Sequence, residues 1–262
     1  MKSKLTPMAT THFPDVTLLI THYNRSKSLE RLLQAFQDLK FSFGDIVVSD
    51  DCSKPQHIQA LEALQQRFTF RIIYAEKNKG LGNNINKGQD AVQTPYTLYV
   101  QEDFVPTSKF LQPYSEALAM LEQEPELDIA RFYAYYAYPY LQPYRNGFSK
   151  MLYKPWFTNT GKIYIYSDHP HLRRSSFFSK FGRYVEGIKS DKTEYLMCIS
   201  FIQKKGQAIF YNDFKSLFLQ ENSSEEPSTV TRANWRQSNN IFVAGFRTLY
   251  RQVKYNYDIH LH

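Results

Sequence analysis

Residues 94–106 read TPYTLYVQEDFVP. An apolar and aromatic run, 96–100, stops at Gln101-Glu102-Asp103 and resumes as Phe104-Val105-Pro106. A run of that length bounded by turn formers predicts a buried strand. In open α/β sheets, ligands bind outside the carboxyl ends of the strands. Two acids at such an end are a candidate cation and diphosphate site. Taken alone, they also read as a strand that ends in solvated carboxylates.

Three similar runs precede it. Residues 16–20, VTLLI, predict a strand that opens into the polar loop Thr21-His22-Tyr23-Asn24-Arg25-Ser26. Leu29, Leu32, Leu33, Phe36 and Leu39 then recur at helical spacing, with Ser26 or Ser28 as N-cap. Residues 45–49 predict a second strand, ending in Asp50-Asp51-Cys52-Ser53. Ser53 and Pro55 mark a helix start, with Ile58, Leu61 and Leu64 inward. Residues 70–74 predict a third strand. The Gly/Asn loop 78–84 follows, then a helix over 83–92. The order β-α-β-α-β-α-β implies a mostly parallel, doubly wound sheet. Its strands share one carboxyl edge, so the three polar clusters should converge there although they are distant in sequence.

The chain of 262 residues, 42% hydrophobic, is long enough for a substantial core. Its 20 Tyr and 20 Phe supply flat surfaces for bases or sugar rings as well as core. A net charge of +7 favours anionic partners, but the positive residues are scattered and form no nucleic-acid module, so no nucleic-acid partner is expected. Cys52 and Cys198 match no metal spacing and fit a reducing, cytoplasmic setting. No apolar run is long enough to span a membrane, and the polar first residues lack the apolar core of a signal peptide.

Beyond residue 106, Phe110, Tyr114, Ala117, Leu118 and Leu121 predict an amphipathic helix. The run 129–144, IARFYAYYAYPYLQPY, alternates like a strand until Pro139 and Pro143 break it. Its tyrosines read either as a stacking wall for a sugar or as core. His169 and His171 flank Pro170 and read as surface or acceptor-loop residues, with a diphosphate or metal contact as the other reading. Arg173 and Arg174 read as phosphate binders or solvated cations. Residues 177–181 predict a short helix, 194–205 a longer one, and 208–211 a strand. Residues 222–231 read as a flexible linker. The tail beyond mixes aromatic and basic residues. It predicts either a helix packed back on the domain or peripheral contact, through 234–257, with the inner face of an anionic membrane.

Four motifs, VTLLITHYNR at 16–25, IVVSDDCS at 46–53, NKGLGNNINKG at 78–88 and YTLYVQED at 96–103, stand in an order and spacing that resembles the family 2 glycosyltransferases of GT-A fold. The resemblance implies a Rossmann-like α/β domain over 14–221, after an N-terminal tail of 1–13. Residues 14–106 would be the nucleotide-sugar-binding half and 107–221 the acceptor half, with 222–262 a linker and helical, aromatic extension. It implies inverting transfer from a nucleotide-sugar, UDP-linked where an acid accepts a hydrogen bond from uracil, to a glycan or lipid-linked glycan acceptor. Asp103 matches the family's ligand for Mn²⁺ or Mg²⁺. Thr21, Tyr23, Asn24, Arg25, Asp50, Asp51, Asn78, Gly80, Asn86, Gln101 and Glu102 match donor-binding positions. Lys205-Gly206 and the strand after it match the segment that follows the family's catalytic acid, which places the general base at Glu194, with Asp191 as the alternative. The chain departs from the pattern in three places. Gln101 stands for an acid, Ile85 for an arginine that Lys79 or Lys87 would have to replace, and Tyr195 for the second acid of a Glu-Asp pair. These departures leave open a non-catalytic nucleotide- or glycan-binding relative.

Overall fold

A computed structural model describes residues 10–222, Glu226 and 241–261, with the backbone alone for 241–245 and 247. The linker expected over 222–231 therefore lies, apart from Asn222 and Glu226, outside the described residues, as do residues 1–9 of the expected tail.

The first half alternates as its sequence predicts: β1 (Thr11–His22), α1 (Ser26–Asp38), β2 (Phe41–Asp50), α2 (Pro55–Leu64), β3 (Arg71–Tyr74), α3 (Gly80–Asp90) and β4 (Tyr96–Gln101). Strands β1 and β2 begin several residues earlier than their β-branched runs. Thr11, His12 and Phe13 pair with Phe41, Ser42 and Phe43, and the Phe rings cluster against Phe36 and Tyr114. β1 lies between β2 and β4 and is parallel to both. Side-chain alternation divides the core. Leu18, Ile20, Val48, Leu98 and Val100 face α1, while Leu19, Val47 and Tyr99 face α3.

The remaining elements are β5 (Phe104–Pro106), α4 (Leu111–Gln123), β6 (Ile129–Arg131), β7 (Leu141–Pro143), β8 (Phe148–Met151), a 3-10 turn over Thr160–Ile165, β9 (His171–Arg174), α5 (Phe177–Phe181), α6 (Ser190–Gln203), β10 (Ala208–Tyr211), β11 (Phe218–Gln220) and α7 (Ile241–His260). The nine-stranded sheet runs β3-β2-β1-β4-β9-β6-β10-β8-β7, and β5 pairs with β11 in a separate ribbon. It is parallel over its first four strands and mixed beyond. The chain crosses from β3, on one side of β1, to β4, on the other, so the strand order reverses between β1 and β4. That reversal is where an open α/β sheet has its crevice.

Several local expectations change. Helix α1 starts at Ser26 with Arg25 as N-cap and no side-chain cap, because Ser28 donates to Glu226 instead. Lys54 rather than Ser53 caps α2. Only residues 129–131 and 141–143 of the tyrosine-rich run are strand. The largest change is at 167–174. His171 is fully buried in β9, antiparallel between β4 and β6. The ring of His169 stands edge-on to Phe104, Tyr133 and Tyr135. His171 is therefore not a surface residue, and His169 is half-buried among those rings. Burial first, and the positive charge of Arg131 second, push His169 down to about 3, so it is neutral. Arg173 is not solvated either. It donates to Gln89 Oε1 (2.8 Å) and lies over the rings of Phe177 and Phe178. Arg174 donates to the carbonyls of Leu127 and Glu124, satisfying orphan acceptors just beyond α4.

Candidate active site

Strand register gathers the predicted clusters. Thr21 is opposite Ser49 on β2 and Gln101 on β4, and His22 is opposite Asp50. Glu102 and Asp103 follow directly, so the three polar strand ends form one edge at the crevice.

On the β2 side the carboxylates are heavily hydrogen-bonded. Asp50 has no exposure. It faces His22 Nδ1 at 2.7 Å and accepts from Ser53 N and Ser53 Oγ. Burial would raise its pKa, but these donors outweigh it and the pKa is lowered. The backbone N–H of Arg25 donates to His22 Nε2 (3.2 Å), so the imidazole is the neutral tautomer that carries its proton on Nδ1, toward Asp50. Asp51 accepts from Lys79 N and Gly80 N at 2.9 and 2.8 Å and so fixes the start of α3. Its pKa is raised, by burial above all. Gly80 sits at φ +82°, a conformation that glycine adopts without strain. A Cβ on Gly88 would lie 2.6 Å from Leu19 Cδ1, so that glycine lets α3 press onto β1. Asn24, at φ 56°, accepts from Lys54 N and donates its own N–H to Ser53 Oγ, clasping the loop to α2. Thr21 Oγ1 is 3.1 Å from Tyr99 Oη, Tyr23 is half-buried, and Asn78 is exposed at the mouth.

Asn86 is fully engaged with the chain: Nδ2 donates to Tyr184 O and Glu186 Oε1, and Oδ1 accepts from Tyr184 N. Ile85 packs under the sheet with Leu19 and Tyr99. Lys87 donates to the carbonyls of Asp50 and Ile73, and burial lowers its pKa to about 8 despite both aspartates.

On the β4 side the carboxylates face a guanidinium. Arg25 Nη1 lies 3.6 Å from Glu102 Oε1 and 3.5 Å from Asp103 Oδ2. Arg25 Nη2 donates to Asn222 Oδ1 and to Glu226 O. Gln220 Nε2 donates to Asp103 Oδ2 (2.9 Å), and Tyr135 Oη donates to Gln220 Oε1. Asp103 Oδ1 is buried and has no hydrogen-bond partner. Burial, then the charge of Asp103, raises Glu102 to about 8, with Arg25 opposing. The carboxylate of Glu226 accepts from Lys27 N, Ser28 N and Ser28 Oγ (2.6 Å), so it closes the amino end of α1.

A second carboxylate pair lies across β4. Asp191 is exposed in the first turn of α6, whereas Glu194, one turn on, is half-buried and accepts from Asp168 N (3.0 Å). Asp168 was not singled out by the sequence. Its Oδ1 accepts from Tyr166 and Tyr184 (2.5 Å), while Oδ2 is buried with no partner. Burial first, and Glu194 second, push Asp168 up to about 7. Gln101 Nε2 donates to Asp168 O at 3.4 Å, which connects β4 to this pair.

Residues 17–182, more than half of the chain, match the family described as Glycosyl transferase family 2. The chain belongs to that family. This glycosyltransferase is 24% identical over 126 residues to the cholesterol galactosyltransferase of Borreliella burgdorferi, a match that spans 48% of the chain and 34% of that protein. Its fold is shared with S. aureus TarS 1-349 in complex with UDP-GlcNAc, at TM-score 0.61 and 16% identity, over 93% of this chain and 72% of that one. It is shared too with the mannosyltransferase PcManGT of Pyrobaculum calidifontis in complex with GDP-Man and Mn²⁺, at TM-score 0.53 and 11% identity, over 78% and 58%. The mostly parallel GT-A sheet expected from the four motifs is thus the observed one.

Proposed function

We propose that this glycosyltransferase moves a sugar, with inversion, from a UDP-sugar to a hydroxyl of a surface polysaccharide or other glycan, free or lipid-linked. The observation that carries the reading is the single strand edge holding Thr21, Asp51 and Gln101, with the orphaned Oδ1 of Asp103 beside it. Residues 14–106 would serve the donor and 107–221 the acceptor.

Of the two β2 acids, Asp51 is the better partner for a base N–H. Each of its oxygens carries one backbone donor and keeps a lone pair, whereas Asp50 is sealed by His22 and Ser53. Thr21, Tyr23, Asn24 and Asn78 border the same mouth, Gly80 lets the backbone approach, and Asn86 holds the 184–186 segment over it. The chain supplies Asp103 and, next to it, Glu102 for a divalent cation. Among the described residues no group of three His, Cys, Asp or Glu could hold a metal. Mg²⁺ and Mn²⁺ suit such a site, because they accept few carboxylates and complete their shell with phosphate oxygens and water. When bound, the cation would supply charge neutralisation at the leaving diphosphate. Arg25 is placed to add a fixed positive charge there. Glu194 takes the proton of the acceptor hydroxyl. The freed oxygen bonds the anomeric carbon on the face opposite the diphosphate, and the old carbon–oxygen electron pair stays with the phosphate. Tyr135, linked to Asp103 through Gln220, and the exposed Tyr136 offer ring faces for the sugar.

The names of the similar proteins support parts of this reading. One carries UDP-GlcNAc, another GDP-Man and Mn²⁺, and a third acts by name on a sterol. A cytoplasmic protein touching the inner face of a membrane through its C-terminal segment belongs to the same reading. Calorimetric titration with UDP and GDP, with and without Mn²⁺, followed by hydrolysis of a panel of nucleotide-sugars, tests it. UDP binding strengthened by Mn²⁺ is the expected result, and absence of any nucleoside diphosphate binding sinks the proposal.

A further inference from the structure

Helix α7 is held by one face. Ile259 and Gln252 are buried, the ring of Tyr255 lies 5.5 Å from that of Tyr195 on α6, and Gln203 Nε2 donates to Asp258 O. The opposite face is exposed. Phe246, Leu249, Tyr250, Val253, Tyr257 and, just past the helix, Leu261 are each more than half exposed. At 3.6 residues per turn these six fall within an arc of about 120° and span about 22 Å.

A second element extends the patch. Trp156 and Phe157, 60% and 72% exposed, adjoin it, and the Trp156 indole stacks on His260 at 4.8 Å. Trp156 sits at φ 60°, a left-handed conformation that a bulky residue rarely adopts. The loop thus holds a large ring in solvent at a backbone cost. The charge around the patch is mostly positive. Lys154 is exposed in a 150–164 segment that contains no acid, and α7 carries Arg251 and Lys254 against the lone Asp258, which pairs with Lys254. Aromatic and aliphatic side chains on one face with a basic border are what an anionic bilayer interface takes up. None of the described helices could cross a membrane, so the contact is with its surface.

We infer that α7 and the 156–157 loop dock this enzyme flat on an anionic phospholipid surface and so present its acceptor side to lipid-borne substrates. The placement follows from α6: Tyr195 packs against Tyr255 and donates to Asp258, and it directly follows Glu194. The docking helix α7 therefore packs directly on α6, the helix that carries the proposed general base. The inference deepens the acceptor reading above and rests on it for the identity of that base.

Co-sedimentation of the full chain with vesicles of phosphatidylcholine, and with equimolar phosphatidylglycerol and phosphatidylcholine, tests it. The protein is expected to partition at least about tenfold more strongly to the anionic vesicles, less so as salt is raised. Val253→Glu with Tyr257→Glu, and separately Trp156→Ser with Phe157→Ser, should each lower partitioning about tenfold or more while UDP affinity stays within about twofold. Equal sedimentation of parent and variants, or no preference for anionic vesicles, overturns the inference. So does a concentration-dependent dimer that Val253→Glu with Tyr257→Glu dissociates, since a second copy would then cover the face. Loss of UDP binding with vesicle binding intact would instead overturn the functional reading and leave the docking face standing.

Discussion

Two carboxylate pairs lie at the carboxyl edge of the sheet, and their surroundings differ. Glu102 and Asp103 share a guanidinium, with Arg25 within 3.6 Å of both. Asp168 and Glu194 are joined through a backbone N–H, and Asp168 accepts from two tyrosine hydroxyls. Arg173 is nearby, but its guanidinium is engaged by Gln89 and by the rings of Phe177 and Phe178. A pair facing a fixed cation is suited to holding charge, such as a diphosphate and its metal. A pair whose aspartate is poised at about 7 by burial and by its neighbour is suited to handling a proton. Under the proposed function, the donor's departure falls to the first pair and the acceptor's activation to the second.

The sharpest way to break this division is Glu194→Gln. Loss of a general base costs about 10² to 10⁴ in rate. The expected outcome is a fall of that size in kcat with UDP affinity unchanged by calorimetry, while Asp191→Asn stays within about threefold of the parent. A Glu194→Gln variant that turns over normally removes the proton role from this pair. Next in size is Asp103→Asn, which should lower kcat/KM by about 10² to 10³ and also abolish the Mn²⁺ dependence of UDP binding. The two substitutions should thus separate. One leaves nucleotide binding intact and the other does not, and an identical signature in both would erase the contrast.

How legible this arrangement was in the sequence follows the same division. The donor side is written in local patterns. Three of the four β-rich runs end in polar clusters, and parallel pairing forces such ends to one edge, so Thr21, Asp50 and Gln101 could be placed together without a structure. The acceptor side depends on long-range pairing that leaves little local trace. The run 167–174 reads as polar loop because Asp168, His169, His171, Arg173 and Arg174 hide a buried strand. Three of these polar groups find partners on distant elements: Gln89 for Arg173, Glu194 for the Asp168 N–H, the end of α4 for Arg174. Alternation over 129–144 suggested one long strand, but only Ile129–Arg131 have a neighbour on each side. Glu226, which closes the amino end of α1, lies in a stretch whose composition says only linker. Asp168 stands four residues after Tyr164 in an aromatic segment, and nothing in its spacing singles it out.

Asp168 offers a prediction on stability. Its folded pKa lies above its unfolded value, so the neutral form is favoured in the native state. The resulting contribution is fully present below the unfolded pKa, about 3.8, and is lost as pH rises through the folded value near 7. The groups around it work in the same sense or only partly against it. Glu194 on α6 raises the pKa, while the hydroxyls of Tyr184 and Tyr166 and the charge of Arg173 on β9 lower it. Asp168→Asn removes this titration. Thermal unfolding of parent and variant between pH 4 and 8 should show the parent losing Tm relative to the variant across the upper part of that range. Parallel curves would mean that Asp168 is ionised throughout.

The smallest expected effect tests the join between the two pairs. Gln101 stands where a relative of this family would usually carry an acid, and its amide donates to Asp168 O across 3.4 Å. An acid at 101 would lose that donor and add negative charge beside Glu102, already raised by burial and by Asp103. Gln101→Glu, nearly isosteric, changes donor and charge together while keeping the shape. A single neutral hydrogen bond of this length is worth at most about 1 kcal/mol net, so kcat should fall about two- to fivefold with KM for the donor little changed. If activity rises instead and UDP binds more tightly with Mn²⁺, position 101 belongs with Asp103 as part of the charge-holding pair. If it falls only in the Glu194 parent and not further in Glu194→Gln, the amide acts through Asp168 on the proton-handling pair. That second outcome is the one the geometry favours, because the hydrogen bond of Gln101 points to the carbonyl of Asp168 and not toward Asp103.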